Sequence, residues 1–166
     1  MIETKHLWEN NPVLDPRLRA NDEERRALYP EILHLGRSRL HLVKPVNVTV
    51  VDFESGDVIQ DWRLMDMPEN YYDYIIADGS FNCLPVEDYP TVLERCHKAL
   101  SKDGQFRVRL YTDKCTIETP RLLSKLSPHD FCLLAFENGF SYAKLAIEAP
   151  SDEPGLAPIV VLIFTK

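Results

Sequence analysis

The sequence lacks paired cysteines. Cys83, Cys96, Cys115 and Cys132 are scattered, with no CxxC pair and no histidine at zinc-partner spacing. That argues against a metal site and for four reduced thiols in a cytosolic protein. Long apolar runs are missing too. None approaches the roughly 20 residues that span a bilayer, and residues 1–11 hold no apolar signal core. No membrane contact and a cytoplasmic location are therefore expected. Positive charge is in deficit: the net charge is -7. A broad grip on a phosphate backbone is disfavoured, while a local basic patch stays open. Repeats, low-complexity segments and inner linkers are absent. What remains is an ordinary globular composition, 45% apolar and 27% charged. At 166 residues, one domain can bury a core without staples.

That core is written most clearly in residues 72–110. Residues 72–77 form an apolar run ending at Asp78-Gly79-Ser80. In residues 86–100, Val86, Tyr89, Val92, Leu93, Cys96 and Leu100 recur at helical steps. Asp103-Gly104 reads as that helix's stop, with a glycine that tolerates the left-handed conformation. Residues 105–111 alternate Gln105, Arg107 and Arg109 with Phe106, Val108 and Leu110. Strand, helix and strand make a right-handed βαβ unit with parallel strands. Ligands in such sheets sit beyond the strands' carboxyl ends. This places residues 78–82 at a candidate site.

The flanks extend the same pattern. Residues 1–20 read as an irregular N-terminal arm and 21–166 as a single domain. Asn21 caps a helix with Glu24 three residues on. Pro30 then either kinks that helix or ends it, making 31–35 a short strand. Residues 36–44 carry Arg37, Arg39 and Lys44 with no acid, a solvated connection or an anion site. Residues 46–53 are a strand rich in β-branched side chains, ending at Asp52. Residues 57–62 offer another short strand, ending at Asp61-Trp62. A short helix is expected at 121–126. Ser127-Pro128 starts another helix that Gly139 closes. Residues 141–149 alternate as a strand, 150–158 form a Pro-rich loop, and 159–164 form an apolar strand suited to a sheet covered on both faces.

Each candidate side chain has a bland reading beside its functional one. Asp52 either holds a ligand's hydroxyls, or caps the turn at Ser55-Gly56 or pairs with an arginine. Asp61 and Trp62 either pair an acceptor with a stacking face or are a surface acid and a buried ring. Asp78 either orients a ligand or makes an Asx turn. Ser80 and Asn82 offer hydrogen bonds at the same rim, and Phe81 an apolar wall. Arg107 and Arg109 share a strand face, as a salt-bridged surface or an anion site. His97 and His129 read as solvated or capping residues.

The segments VTVVDFE, DVIQDW, MPENYYDYIIADGSFNCL, VLERCHKALSKDGQFRVRLY and FENGF, taken in order, resemble the class I S-adenosylmethionine-dependent methyltransferases. The resemblance spans residues 31–166. It implies an α/β fold: a Rossmann-like doubly wound sheet, mostly parallel with an antiparallel last strand, and helices on both faces. It implies S-adenosylmethionine as cofactor and assigns its contacts to Gly36, Asp52, Phe53, Asp61, Trp62, Asp78, Gly79 and Ser80. Asp52 would hold the ribose hydroxyls, Asp61 the adenine amino group and Trp62 its ring. No residue is marked as a catalytic base. The acceptor implied is a small molecule, and a homodimer is compatible. The sequence departs from the family at the first loop, where His34-Leu35-Gly36-Arg37-Ser38 holds a single glycine. The path from Gly36 to the second strand is also too short for an ordinary helix with two turns. Two functions follow: methyl transfer, or a non-catalytic binding or dimerisation module of the same fold. Another α/β activity such as nucleotide binding is a third.

Overall fold

The computed structural model describes residues 30–36, 47–116, 118–147 and 159–166. The arm at 1–20, the helix expected from Asn21, the basic stretch after Gly36 and the loop at 150–158 lie outside the described residues. The described elements are β1 (Ile32–Leu35), β2 (Val48–Asp52), β3 (Val58–Ile59), β4 (Tyr72–Asp78), α1 (Tyr89–Ala99), β5 (Leu100–Tyr111), α2 (Pro128–Glu137), β6 (Tyr142–Ile147) and β7 (Ile159–Thr165). Pro30 is thus followed by a strand.

The strands form one sheet in the order β3-β2-β1-β4-β5-β7-β6. The first five are mutually parallel, and β7 runs antiparallel between β5 and β6. The order reverses between β1 and β4, which makes that boundary the topological switch point.

Alternation along each strand sorts side chains onto two faces. Leu33, Leu35, Val51, Ile75, Ala77, Phe106, Val108, Leu110, Leu162 and Phe164 join the main core with α1 and α2. Ile32, Val48, Val50 and Ile76 form a second cluster. Both described helices pack on the first face.

Three local expectations change. The helix over 86–100 divides: a 3-10 turn spans Val86–Asp88, and the α-helix begins at Tyr89 with a proline in its first turn. Pro90 lacks an N–H, so it suits a helix start and not an interior. The helix ends at Ala99, and Leu100 is already extended, so Asp103-Gly104 lies inside β5. The helix expected at 121–126 does not form. The N–H groups of Leu123 and Ser124 donate instead to the Asn82 carbonyl, at 2.7 and 3.3 Å. The strand expected over 57–62 shrinks to two residues.

The start of α2 is as read. Ser127 Oγ accepts the Asp130 N–H at 3.0 Å, with Pro128 in the first turn.

The connection from β2 to β3 is unusual. Parallel strands ordinarily need a crossover of about a dozen residues or more, yet only Phe53 to Asp57 intervene. Asp57 makes this work. Its N–H donates to the Val50 carbonyl at 2.9 Å, and its Oδ2 accepts the Val50 N–H at 2.8 Å. Gly56 lies where a Cβ would come within 2.8 Å of the Val50 carbonyl oxygen. Neither described helix covers this crossover.

His97 is half-buried, packed on one side. Its ring sits edge-on to Phe140 at 5.2 Å, against Gly139. Burial, with Lys166 nearby, lowers its pKa from 6.5. The unfolded chain therefore takes up this proton first. His97 favours folding above its unfolded pKa, and that contribution is lost as pH falls through the lowered folded value. Melting His97→Gln beside wild type across that window tests this: wild type should lose more stability on acidification. Parallel curves would refute it.

Candidate functional site

The carboxyl ends of β2, β1 and β4 bring together most of the residues expected there. Gly36 follows β1 with φ of 86°, a conformation that costs glycine little and other residues more. Its N–H donates to the Val51 carbonyl at 2.8 Å. The same carbonyl accepts the Trp62 indole N–H at 2.9 Å. Trp62 Cζ2 stands 3.2 Å from where a Gly36 Cβ would be, and Ser80 Oγ 3.5 Å. Ser80 completes the join from the β4 side, donating to the Leu35 carbonyl at 2.5 Å. One glycine thus lies at the meeting point of three strand ends. Beside it, the buried His34 places Nδ1 2.8 Å from the Gly36 carbonyl oxygen.

Trp62 is 3% exposed, so of its two readings the buried ring holds. It backs the site from the core side. Phe53 lies over it at 4.8 Å between centroids and is 44% exposed. Among the described residues, the exposed aromatic surface beside Trp62 is Phe53.

The three acids behave differently. Asp52 ends β2 and accepts the Glu54 N–H on Oδ1 at 2.9 Å, the turn-capping geometry; its own carbonyl accepts from Gln60 N–H at 3.0 Å. Asp61 is gripped by Arg63, whose Nη2 lies 2.6 Å and Nε 3.0 Å from Oδ2. That guanidinium holds the Asp61 carboxyl below the ordinary carboxylate range. Arg63 Nη1 also reaches Asp88 Oδ2 at 2.9 Å. Asp78 is not an isolated Asx turn: Arg109 Nη1 pairs with it at 3.0 Å, both side chains about one-fifth exposed (20 and 21%). Arg109 lies over the Tyr111 ring at 5.8 Å and Arg107 over Tyr74 at 5.4 Å. This is the salt-bridged reading of that strand face. Gly79 donates to the Arg109 carbonyl at 3.0 Å and packs against Tyr111.

Two rim residues turn inward. Phe81 is fully buried and does not wall the site. Asn82 is fully buried as well. Its amide donates to the Tyr111 and Ser124 carbonyls at 2.8 and 3.0 Å, and its oxygen accepts the Tyr111 N–H at 3.0 Å. Asn82 is scaffold, fixing the loop after β4 to the end of β5. Arg63 was missed in the sequence. Its signal is the spacing: two residues after Asp61, it can turn back on that carboxylate.

Among the described residues no group of three or more His, Cys, Asp or Glu could hold a metal ion, and no helix is long and apolar enough to cross a membrane.

No protein-family model and no curated protein matches the chain. Solved structures do. A SAM-dependent methyltransferase from Archaeoglobus fulgidus superposes with a TM-score of 0.66 at 14% identity, over 82% of this chain and 86% of that one. The 1,6-didemethyltoxoflavin-N1-methyltransferase of Burkholderia thailandensis, solved with 1,6-didemethyltoxoflavin and S-adenosylhomocysteine bound, gives 0.65 at 18% identity, over 99% and 83%. An S-adenosylmethionine-dependent methyltransferase from Mesorhizobium loti gives 0.62 at 14%, over 87% and 96%. At such identities the likeness speaks for architecture alone. With its strand order and switch point, the chain has the fold of the class I S-adenosylmethionine-dependent methyltransferases.

Proposed function

We propose that the chain binds S-adenosylmethionine across the carboxyl ends of β2, β1 and β4 and transfers its methyl group to a small-molecule acceptor. One observation carries this reading. Asp52 ends β2, Gly36 follows β1 and Asp78 ends β4, three neighbouring strands at the point where the strand order reverses. Ligands of open α/β sheets bind there.

The residues fit the cofactor at its ribose and methionine ends. A carboxylate at the end of β2 offers the two acceptor oxygens that a pair of donating ribose hydroxyls needs. Gly36 presents backbone without a side chain, allowing close approach. When bound, S-adenosylmethionine supplies a methyl group on an already activated sulfonium. The chain's share is positioning and exclusion of water. Phe53 offers an apolar face. The Asp78–Arg109 pair sets the charge beside the acceptor. Among the described residues no side chain here is placed as a base, which an amine or carboxylate acceptor does not require. A net charge of -7 and a neighbour whose solved complex holds a small aromatic molecule support a small acceptor.

A second reading, a non-catalytic module of this fold, draws on the engagement of Asp61 by Arg63 and the burial of Trp62. Calorimetric titration with S-adenosylhomocysteine separates the two. Binding is expected, and Asp52→Ala should weaken it by about 100-fold or more, the worth of two hydrogen bonds to a charged group. Absence of heat at millimolar ligand would remove the enzyme reading. Unchanged affinity in Asp52→Ala would remove the ribose placement.

A further inference from the structure

We propose that Arg63 is an ionic latch across the adenine end of this site, which ligand entry must open. The inference rests on the proposed cofactor site, with the adenine amino group on Asp61 as the family resemblance implies.

The geometry is that of a strap. Asp61 Oδ1 accepts the Arg63 backbone N–H at 2.9 Å and Nε at 3.0 Å. Asp61 Oδ2 accepts Nε at 3.0 Å and Nη2 at 2.6 Å. Both carboxylate oxygens are therefore occupied by one guanidinium. The same guanidinium carries Nη1 to Asp88 Oδ2 at 2.9 Å. Asp61 follows β3, whereas Asp88 ends the 3-10 turn before α1. Arg63 thus ties the loop after β3 to the segment after β4.

An incoming amino group needs an oxygen that Arg63 holds. It must displace at least one guanidinium bond or find the strap already open. The strap is weak enough to open. Arg63 is 46% exposed and its partners 22% and 23%, so water competes for every bond. Removing the guanidinium leaves Asp61 and Asp88 as two like charges across the gap, which pushes the two segments apart. Salt acts in the same direction by screening the exposed pairs.

The latch gives an unusual sign: loss of a site-proximal arginine should tighten binding. S-adenosylhomocysteine is titrated calorimetrically into wild type, Arg63→Gln and, as a charge control remote from the strap, Lys102→Gln. At about 20 mM salt, Arg63→Gln should bind about three- to fivefold tighter than wild type, the scale of an exposed ion pair. Raising salt to about 500 mM should bring wild type towards the variant while the variant itself moves little. Lys102→Gln should follow wild type. Equal or weaker binding by Arg63→Gln at low salt overturns the latch and leaves the site reading standing. A matching gain in Lys102→Gln reduces the effect to net charge and also overturns it. No binding by any of the three proteins overturns the site reading itself, and the latch with it.

Discussion

Phe81→Ala is expected to cost about 3–5 kcal/mol of folding stability, the range for emptying a buried phenylalanine position. Phe81 is 0% exposed. Its ring meets Tyr89 and Phe131 edge-on at 5.1 Å each, and Phe106 at 6.1 Å. These come from α1, α2 and β5, so the cavity would lie where three elements converge and none can collapse alone. The lost edge-to-face contacts add to the lost burial. For a domain of this size each kcal/mol moves Tm by about 2–4 °C, so a fall on the order of 10 °C should appear. Phe81→Leu keeps most of the volume and should cost under about 1.5 kcal/mol. Urea unfolding measures both, and an unchanged m value would place the effect on stability alone. A loss below about 1 kcal/mol for the alanine would mean the ring is not the keystone its contacts suggest.

The sheet was legible because its central strands announce themselves chemically. Residues 72–77 and 105–111 carry patterns that only a buried or half-buried strand satisfies, and β4 and β5 pair in parallel as expected. The antiparallel β7 followed from an apolar run at the end of a recognisable order. The failures were local and each has a physical cause. Pro90 sits inside the apolar periodicity of α1 and marks its true start, a signal that periodicity alone overrides. Residues 121–126 have helical composition, but the backbone donors of Leu123 and Ser124 are satisfied by the Asn82 carbonyl. Long-range pairing beat a short helix that could not sustain itself. The two-residue β3 could not be sized, because its brevity depends on Asp57 acting as a surrogate strand partner for Val50.

The site was legible as a place more than as a set of roles. Gly36, Asp52, Asp78, Gly79 and Ser80 do stand at neighbouring strand ends. Which way a side chain turns from such an end was not written. Trp62 went to the core because its indole N–H finds the Val51 carbonyl. Asp61 went to Arg63, two residues away. Phe81 and Asn82 follow the same strand end and read as rim residues. Aromatic neighbours from three elements and three backbone groups of Tyr111 and Ser124 draw them inward. For Asn82, the local sequence offers the polar group, and the partners that claim it lie 29 and 42 positions away.

Asn82 therefore makes the sharper test of how this site is held. Asn82→Ala would strand the Tyr111 N–H and the Tyr111 and Ser124 carbonyls, and should cost about 3 kcal/mol, since each buried group left without a partner costs about 1–3 kcal/mol. Asn82→Asp keeps the shape and the acceptor but replaces the amide donor, which now feeds two carbonyls. An ionised carboxylate would face those carbonyls inside a fully buried site, so its folded pKa must rise well above the ordinary value of about 3.9. The sign follows. A raised folded pKa gives a contribution present below the unfolded pKa and lost as pH climbs through the folded value. Relative to wild type, Asn82→Asp should thus be milder at about pH 4 and severe at about pH 7. The penalty of Asn82→Ala should stay level. Urea midpoints for the three proteins at both pH values decide it. A pH-independent penalty in Asn82→Asp would show that the loop after β4 can swing the carboxylate into solvent. Asn82 would then be a replaceable contact and not the pin that holds this strand end against β5.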